Sequence, residues 1–177
     1  MNRLFVALSL PDEVATPLVW MQSGVPGARW QTREQLHLTL RFIGEVDGRD
    51  ANAIDDALMA ISAPSFSLQL KGVGEFGGDH SRSLWVGVEP NEALLHVQKK
   101  IEIALQRIGQ PGDKRKFTPH ITLARLRGSQ RGRVMDWLTD HALFASVSFP
   151  VNAFILYSSL LTSDGSIYRA EKAYRLL

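Results

Sequence analysis

The sequence predicts an α+β fold in which two similar halves face each other across a cleft. Two observations support this fold class. Strand-like segments occur in neighbouring pairs with helical segments between them, an order that favours antiparallel sheets over a doubly wound parallel sheet. A four-residue pattern, His-apolar-Thr-Leu, also occurs twice, at residues 37–40 and 120–123. Each half is therefore expected to place one copy of this pattern on a strand at the floor of the cleft.

Hydrophobic periodicity predicts the elements of the first half of the chain. Continuous apolar runs indicate buried strands, strict alternation indicates half-buried strands, and apolar residues three or four apart indicate helices. Pro17 should kink or shorten the first helix. In order, the patterns predict a strand over residues 3–9, a helix over 12–22, a strand over 37–43 that ends at Gly44, a helix over 48–61 and a strand over 66–70.

The second half shows the same patterns. Asn91 can cap a helix whose apolar stripe runs to Ile108, and Gly109 ends it. In order, the patterns predict a strand over residues 83–88, the helix that follows Asn91, a strand over 120–124, a helix over 134–141, and a final hairpin of 146–157 and 166–175. No low-complexity linker separates the halves, so residues 1–177 are expected to form a single domain.

Composition limits the classes of function. The chain has 177 residues, 45% hydrophobic and 21% charged, which is ordinary for a soluble globular protein. A net charge of +2 permits an anionic partner without requiring one. The absence of cysteine excludes a disulfide framework, a thiol nucleophile and a thiolate metal site. No apolar run reaches membrane-spanning length, and the N-terminal run is short for a signal peptide. These features predict a cytoplasmic protein that does not bind membranes.

The repeated motif offers acid–base chemistry. Along a strand, alternation puts the His and the Thr of each copy on one face and the apolar residues on the other. A lone histidine on a strand is usually a core residue, but packing gives no reason to repeat a His and a Thr on the same face. Because imidazole titrates at roughly 6.5, one histidine can act as a base while the other acts as an acid. With two hydroxyl donors beside them, the expected ligand is a phosphate, and the expected reaction is in-line displacement at phosphorus.

Other catalytic classes fit the sequence less well. A zinc site usually needs at least three protein ligands, and the motifs supply only two histidines. The chain has no H-E-x-x-H sequence and no G-x-S-x-G elbow. We therefore expect no metal and no cofactor.

Several basic and aromatic residues have both a structural and a functional interpretation. By simple alternation, Arg41 shares the face of His37 and Thr39, so it could assist phosphate binding or reach an edge of its lobe. The basic run 114–116 could meet RNA phosphates or remain a solvated charge run. Trp85 could be core or could form a cleft wall that stacks a base.

The surroundings of both motifs resemble those of the 2H phosphoesterases, and in particular the bacterial RNA 2′,3′-cyclic phosphodiesterase family, historically called 2′-5′ RNA ligases. A single His-x-Thr motif is weak evidence, whereas two copies in these contexts are specific. The resemblance extends over nearly the whole chain, and the matching segments are residues 3–8, 10–11, 36–40, 42–46, 84–87, 117–125 and 157–159.

The resemblance implies two pseudo-twofold-related lobes of antiparallel sheet, with helices outside and a central cleft. It also implies metal-independent opening of RNA 2′,3′-cyclic phosphate ends to 2′-phosphomonoesters. In such an enzyme, His37 would be the proton donor to the leaving group and His120 the proton acceptor that activates water. Thr39 and Thr122 would hold the phosphate, and Arg125 would contact it. Simple alternation puts Arg125 on the face opposite His120, so this last role requires a strand end or a β-bulge.

Two other functions remain open from the sequence. One is a 2′-5′ RNA ligase or 2′-5′ phosphodiesterase, and the other is a non-catalytic module that binds RNA ends. Two intact motifs favour catalysis, because binding alone does not need an acid–base pair. The expected partner is an RNA or oligonucleotide end with a 2′,3′-cyclic phosphate, and the expected oligomeric state is a monomer.

Overall fold

The computed structural model describes residues 2–177, so Met1 of the predicted domain lies outside the described residues. The helices are α1 (Asp12–Trp20), α2 (Gly48–Met59), α3 (Glu92–Arg107) and α4 (Arg131–Asp140). The strands are β1 (Asn2–Leu8), β2 (Arg29–Trp30), β3 (Leu38–Val46), β4 (Phe66–Leu68), β5 (Leu70–Phe76), β6 (Ser83–Val88), β7 (His120–Arg125), β8 (Phe149–Val151), β9 (Ala153–Thr162) and β10 (Gly165–Arg175). Among residues 2–177, no helix is both long enough and apolar enough to cross a bilayer.

The strands form two four-stranded sheets and one short pair. The first sheet has the order β10-β9-β1-β3, and the second has the order β2-β7-β6-β5. Every pairing within them is antiparallel. The strand β3, which follows His37, and the strand β7, which begins at His120, lie against each other where the two sheets meet. The predicted α+β class with two lobes is confirmed.

The two halves of the chain repeat one order of elements and exchange a strand. The order β1-α1-β3-α2-β5 in the first half corresponds to β6-α3-β7-α4-β9 in the second. However, β5 pairs with β6, and β9 pairs with β1, so each half completes the sheet of the other. The short strands β4 and β8, which lead into the exchanged strands, pair with each other. Each sheet therefore contains strands from both halves of the chain.

The helices pack in pairs against the sheets. Helix α3 contacts both α2 and β3 and buries the predicted stripe from Leu94 to Leu105, whereas Ile108, the last residue of that stripe, is exposed just after the helix. Its first turn is capped by Asn91, whose side chain accepts a hydrogen bond of 3.0 Å from the backbone N–H of Leu94. In the other lobe, the indole N–H of Trp137 on α4 donates to the carbonyl of Met21 at the end of α1, at 2.9 Å. The helices therefore cover the outer faces of the sheets and leave the junction between β3 and β7 open for a cleft.

Glycine explains two errors in the predicted strands. The strand predicted over residues 37–43, which is β3, does not end at Gly44 but continues to Val46. Gly44 adopts a φ of 96° within a bulge opposite β1. A glycine in this conformation lets the ladder resume on the other side of the bulge. The strand predicted over residues 66–70 is two strands, and the second continues to Phe76. Gly72 and Gly74 hid that continuation, since glycine weakens a strand pattern.

Candidate active site

The structure brings all five predicted site residues to one cleft between the lobes. His37, Thr39, His120, Thr122 and Arg125 line a cavity of about 430 Å³. The two motifs reach it from β3 in the first sheet and β7 in the second. Because the cleft lies at the junction of the sheets, each lobe supplies one imidazole and one hydroxyl to the same space.

The two imidazoles are held by the same backbone contact. His37 Nδ1 lies 2.7 Å from the carbonyl oxygen of Gln35, and His120 Nδ1 lies 2.7 Å from that of Thr118. A carbonyl can only accept, so both Nδ1 atoms carry hydrogen and donate. In the neutral rings, Nε2 is therefore the atom with a free lone pair. His37 Nε2 lies 3.0 Å from the Thr39 hydroxyl, which donates to it.

Aromatic rings enclose the imidazole of His37. The ring of Phe5 lies 4.9 Å from it, and Tyr168 presents a nearly perpendicular ring at 5.1 Å, both measured between centroids. Burial lowers the pKa of His37 to about 4 from an ordinary value of 6.5, against the opposing effect of the Gln35 carbonyl. The positive charge of Arg125 acts in the same direction as burial. His37 is therefore neutral near pH 7 in the free protein.

His120 has a similar but more open aromatic surrounding. Phe76 lies nearly perpendicular to the imidazole at 4.9 Å, and Trp85 lies at 6.0 Å. Burial lowers the pKa of His120 below its ordinary value, and the charge of Arg125 lowers it further. The Trp85 ring is packed so closely on Gly74 that a Cβ there would lie 2.3 Å from it. Trp85 is thus a half-buried wall behind His120 rather than an exposed stacking surface.

A β-bulge explains how Arg125 reaches the cleft. In the pairing of β6 with β7, Leu84 is opposite Ala124 and Trp85 is opposite Thr122, so Leu123 has no partner of its own. The extra residue breaks the alternation. Leu123 and Ala124 are consequently both buried, and Arg125 returns to the face of Thr122. Arg125 is also close enough to lower the pKa of both histidines, which fits a cation placed between them.

The same bulge in β3 removes Arg41 from the cleft. There Val6 is opposite Arg41 and Ala7 is opposite Thr39, so Leu40 is the residue without a partner. The expectation that Arg41 shares the face of His37 is therefore wrong, because that expectation assumed simple alternation. The Arg41 side chain is 7% exposed, and its Nε donates to the carboxylate of Glu102 on α3 at 2.5 Å. Phe42 takes the place in this lobe that Arg125 occupies in the other.

Glutamine side chains support both bulges from the helical side. Gln98 on α3 donates through Nε2 to the carbonyl of Leu40 at 3.3 Å. Gln22, just after α1, donates through Nε2 to the carbonyl of Leu123 at 3.4 Å. Each carbonyl belongs to the residue that the bulge leaves unpaired. In both lobes, therefore, a β-bulge supported by a glutamine turns a side chain toward the cleft.

The aromatic and polar lining of the cleft was not predicted. Phe5, Phe76, Tyr168 and Arg3 all line it, together with the buried hydroxyl residue Ser83. A signal for two of them exists in β1, where alternation puts Arg3 and Phe5 on one face. The continuous apolar run that follows Arg3 hid this alternation. Among residues 2–177, no group of three or more His, Cys, Asp or Glu side chains could hold a metal ion.

Comparison with known proteins identifies the family. The family model described as the 2′-5′ RNA ligase superfamily matches residues 11–161. The RNA 2′,3′-cyclic phosphodiesterase of Thermotoga maritima is 34% identical over 175 residues, which cover 94% of this chain and 91% of that protein. The protein of the same name from Archaeoglobus fulgidus is 30% identical over 171 residues, which cover 94% of this chain and 96% of that protein.

A solved structure agrees with these relatives. The crystal structure of E. coli LigT complexed with 3′-AMP has a TM-score of 0.81 and 27% identity, and the match covers 99% of this chain and 98% of that one. The chain belongs to the 2′-5′ RNA ligase superfamily, since the family match alone covers more than half of its length. The resemblance predicted from the two motifs is confirmed.

Proposed function

We propose that this protein hydrolyses RNA 2′,3′-cyclic phosphate ends to 2′-phosphomonoesters by metal-independent acid–base catalysis with two histidines. The observation that carries the proposal is the paired presentation of His37 and His120. Each Nδ1 is fixed by a backbone carbonyl, and both rings line one cleft with two threonines and an arginine. The names of the curated relatives support the substrate class.

The reaction needs one proton removed and one proton supplied. Nε2 of His120 takes a proton from water as the water oxygen forms its bond to phosphorus. The bond between phosphorus and O3′ breaks in line with this attack, and Nε2–H of His37 gives its proton to O3′. Thr39 and Thr122 donate to the non-bridging oxygens, and Arg125 balances their charge. The product keeps its phosphate on O2′, and each histidine ends in the protonation state that the other began with.

The surroundings of the two histidines support these separate roles. His37 has the more enclosed ring and a pKa of about 4, so it is the stronger acid once a proton is bound. An anionic phosphate in the cleft favours the imidazolium form, so His37 binds its proton when the substrate is bound. His120 is less enclosed, which suits a base that must meet water from solvent.

The test of the proposal is product analysis with a nucleoside 2′,3′-cyclic phosphate in the presence of EDTA. We expect full activity in the chelator and a single product, the nucleoside 2′-phosphate, identified by phosphorus NMR. Loss of activity in EDTA with recovery on addition of zinc or manganese would contradict metal independence. A 3′-phosphate as the only product would contradict the assignment of O3′ as the leaving group.

The pH dependence of the reaction follows from the lowered pKa values. In the free enzyme both pKa values lie below the ordinary 6.5, so raising the pH above them leaves both rings neutral and removes the acid. Lowering the pH protonates both rings and removes the base. We expect a bell-shaped kcat/KM profile, with limbs that belong to the coupled pair and a maximum below about pH 6.5.

The kcat profile should lie at higher pH than the kcat/KM profile. It reports the substrate complex, in which the bound anion raises both histidine pKa values. Steady-state kinetics across a pH series measures both profiles on one preparation. A kcat/KM profile that is flat from about pH 5 to about pH 8 would exclude a histidine acid–base pair.

A further inference from the structure

A second hollow opens from the candidate active site, and the part of it beyond the residues that it shares with the cleft has no role in the proposed reaction. It has a volume of about 720 Å³ and forms a groove continuous with the cleft. One wall is formed around Arg82, and the other is formed by the segment that leads from Asp113 to Thr118. The residues that the groove shares with the cleft are Thr39, Phe42, Phe76, Ser83, His120 and Arg125.

The groove has an excess of positive charge that its own acids do not neutralise. Its two carboxylates are engaged, since Glu102 pairs with Arg41 at 2.5 Å and Asp113 pairs with Arg115 at 3.2 Å. Arg82 and Lys116 are exposed, and neither forms an ion pair within residues 2–177. Two cations are therefore free to bind an anion at the groove, beyond the cleft that holds the histidines.

The basic wall of the groove is anchored to the core. Arg41 donates to the carbonyl of Pro111, and the other oxygen of Glu102 accepts from the backbone N–H of Asp113 at 3.0 Å. Asp113 Oδ1 in turn accepts from the backbone N–H of Arg115 at 2.9 Å. The ion pair between the buried Arg41 and the half-buried Glu102 thus holds the start of the segment that carries Lys116. The run 114–116 therefore belongs to a segment that is hydrogen-bonded to the core. A charge run that was simply solvated would not require such anchoring.

Aromatic side chains line the groove together with its basic residues. Phe42 is 42% exposed at the opening that the groove shares with the cleft, and the half-buried Phe117 lines the groove beside Lys116. A positively charged groove with aromatic side chains is the usual surface for single-stranded nucleic acid, where cations meet phosphates and rings stack on bases.

We propose that this groove binds the RNA strand on the 5′ side of the cyclic phosphate, with Arg82 and Lys116 on its backbone phosphates. The inference rests on the proposed function, which places the 3′ end of the RNA between the two histidines. With that end fixed, the strand must leave the cleft in the 5′ direction, and the groove is continuous with the cleft. The preferred substrate is then a single-stranded oligonucleotide rather than a free cyclic nucleotide.

The test compares two substrates with the same terminal nucleoside. One is the nucleoside 2′,3′-cyclic phosphate, and the other is a single-stranded RNA of about six nucleotides that ends in the same group. This length lies within the range of about 4–16 nucleotides that single-strand-binding folds cover. For the protein with Arg82→Ala and Lys116→Ala together, we expect kcat/KM for the RNA to fall about tenfold at low salt. The value for the mononucleotide should stay within about twofold, because neither side chain lines the cleft itself. Arg175→Ala, at an exposed arginine that lines neither hollow, is the matched control and should change neither value.

Salt dependence gives a second measurement, and its comparison of the two substrates on the wild type does not depend on folding of the variant. Wild-type kcat/KM for the RNA should fall more steeply with salt than that for the mononucleotide. Removing two phosphate contacts should make the negative slope of log kcat/KM against log salt shallower by about 1.4, or about 0.7 for each contact with a single strand. Equal losses on both substrates, or equal salt slopes in the wild type, would overturn the groove proposal. Failure of the wild type to cleave either substrate would instead overturn the proposed function.

Discussion

His37→Ala and His120→Ala should each lower kcat for cyclic phosphate hydrolysis by roughly 10²–10⁴-fold or more, the range for loss of an acid or a base. Among residues 2–177, each variant removes the one imidazole that its lobe supplies to the cleft. The fold should survive, because both side chains are only half buried and stand at the start of a strand. Steady-state kinetics with a nucleoside 2′,3′-cyclic phosphate measures the loss, and circular dichroism checks the fold.

A matched control tests whether removal of an imidazole outside the cleft also lowers kcat. His96 is exposed on α3 and does not line the cleft, so His96→Ala should keep the wild-type kcat. If either cleft variant also keeps near-wild-type turnover, that histidine does not have the assigned role.

The two roles can be distinguished with a better leaving group. A phosphodiester that releases 4-nitrophenolate needs little help from an acid, so His37→Ala should recover much of its lost rate on that substrate. His120→Ala should not recover, because water still needs a base. Recovery of the His120 variant instead of the His37 variant would reverse the assignment of donor and acceptor. A pH profile alone cannot decide this point, since a pair with exchanged roles gives the same bell.

The histidines and threonines of the site were predictable because they depend on local alternation alone. Within three residues of a strand, the face of a side chain follows directly from its position, and both motifs are that short. The helix after Asn91 was predictable for a similar reason, since its cap and its apolar stripe are both local features. The two histidines share a cleft only because β3 meets β7, and repetition of the motif was the one sequence signal for that contact.

The residues beyond each motif were not predictable in the same way. A bulge at Leu123 turns Arg125 toward the cleft, and a bulge at Leu40 turns Arg41 away from it. A bulge depends on the register of the neighbouring strand, here with β1 and β6, and the pattern of a single strand does not contain that register. The strand exchange between the halves is hidden for a similar reason. Nothing local in β5 or β9 indicates that it completes the other sheet.

Loss of the ion pair between the buried Arg41 and the half-buried Glu102 should be the largest effect on stability. The substitution Arg41→Met keeps an apolar stem of similar length but leaves the Glu102 carboxylate, whose side chain is 16% exposed, without its cation. Removing one partner of a fully buried pair costs about 3–5 kcal/mol, and because Glu102 is half buried we expect the lower end, about 3 kcal/mol. For a protein of this size, that cost corresponds to a fall in Tm of about 6–12 °C. Thermal unfolding followed by circular dichroism measures it.

Two further variants test the reason for the loss. Lys71 forms an exposed pair with Glu89, so Lys71→Ala should change the free energy of unfolding by no more than about 1 kcal/mol. In the double variant Arg41→Met/Glu102→Leu, no buried charge is left unpaired, and most of the stability should return. A double variant as unstable as Arg41→Met alone would show that the cost comes from the lost hydrogen bonds to the backbone of Pro111, Phe42 and Asp113, not from the isolated carboxylate. The pair would then stabilise the fold through the backbone that it holds, including the wall that carries Lys116.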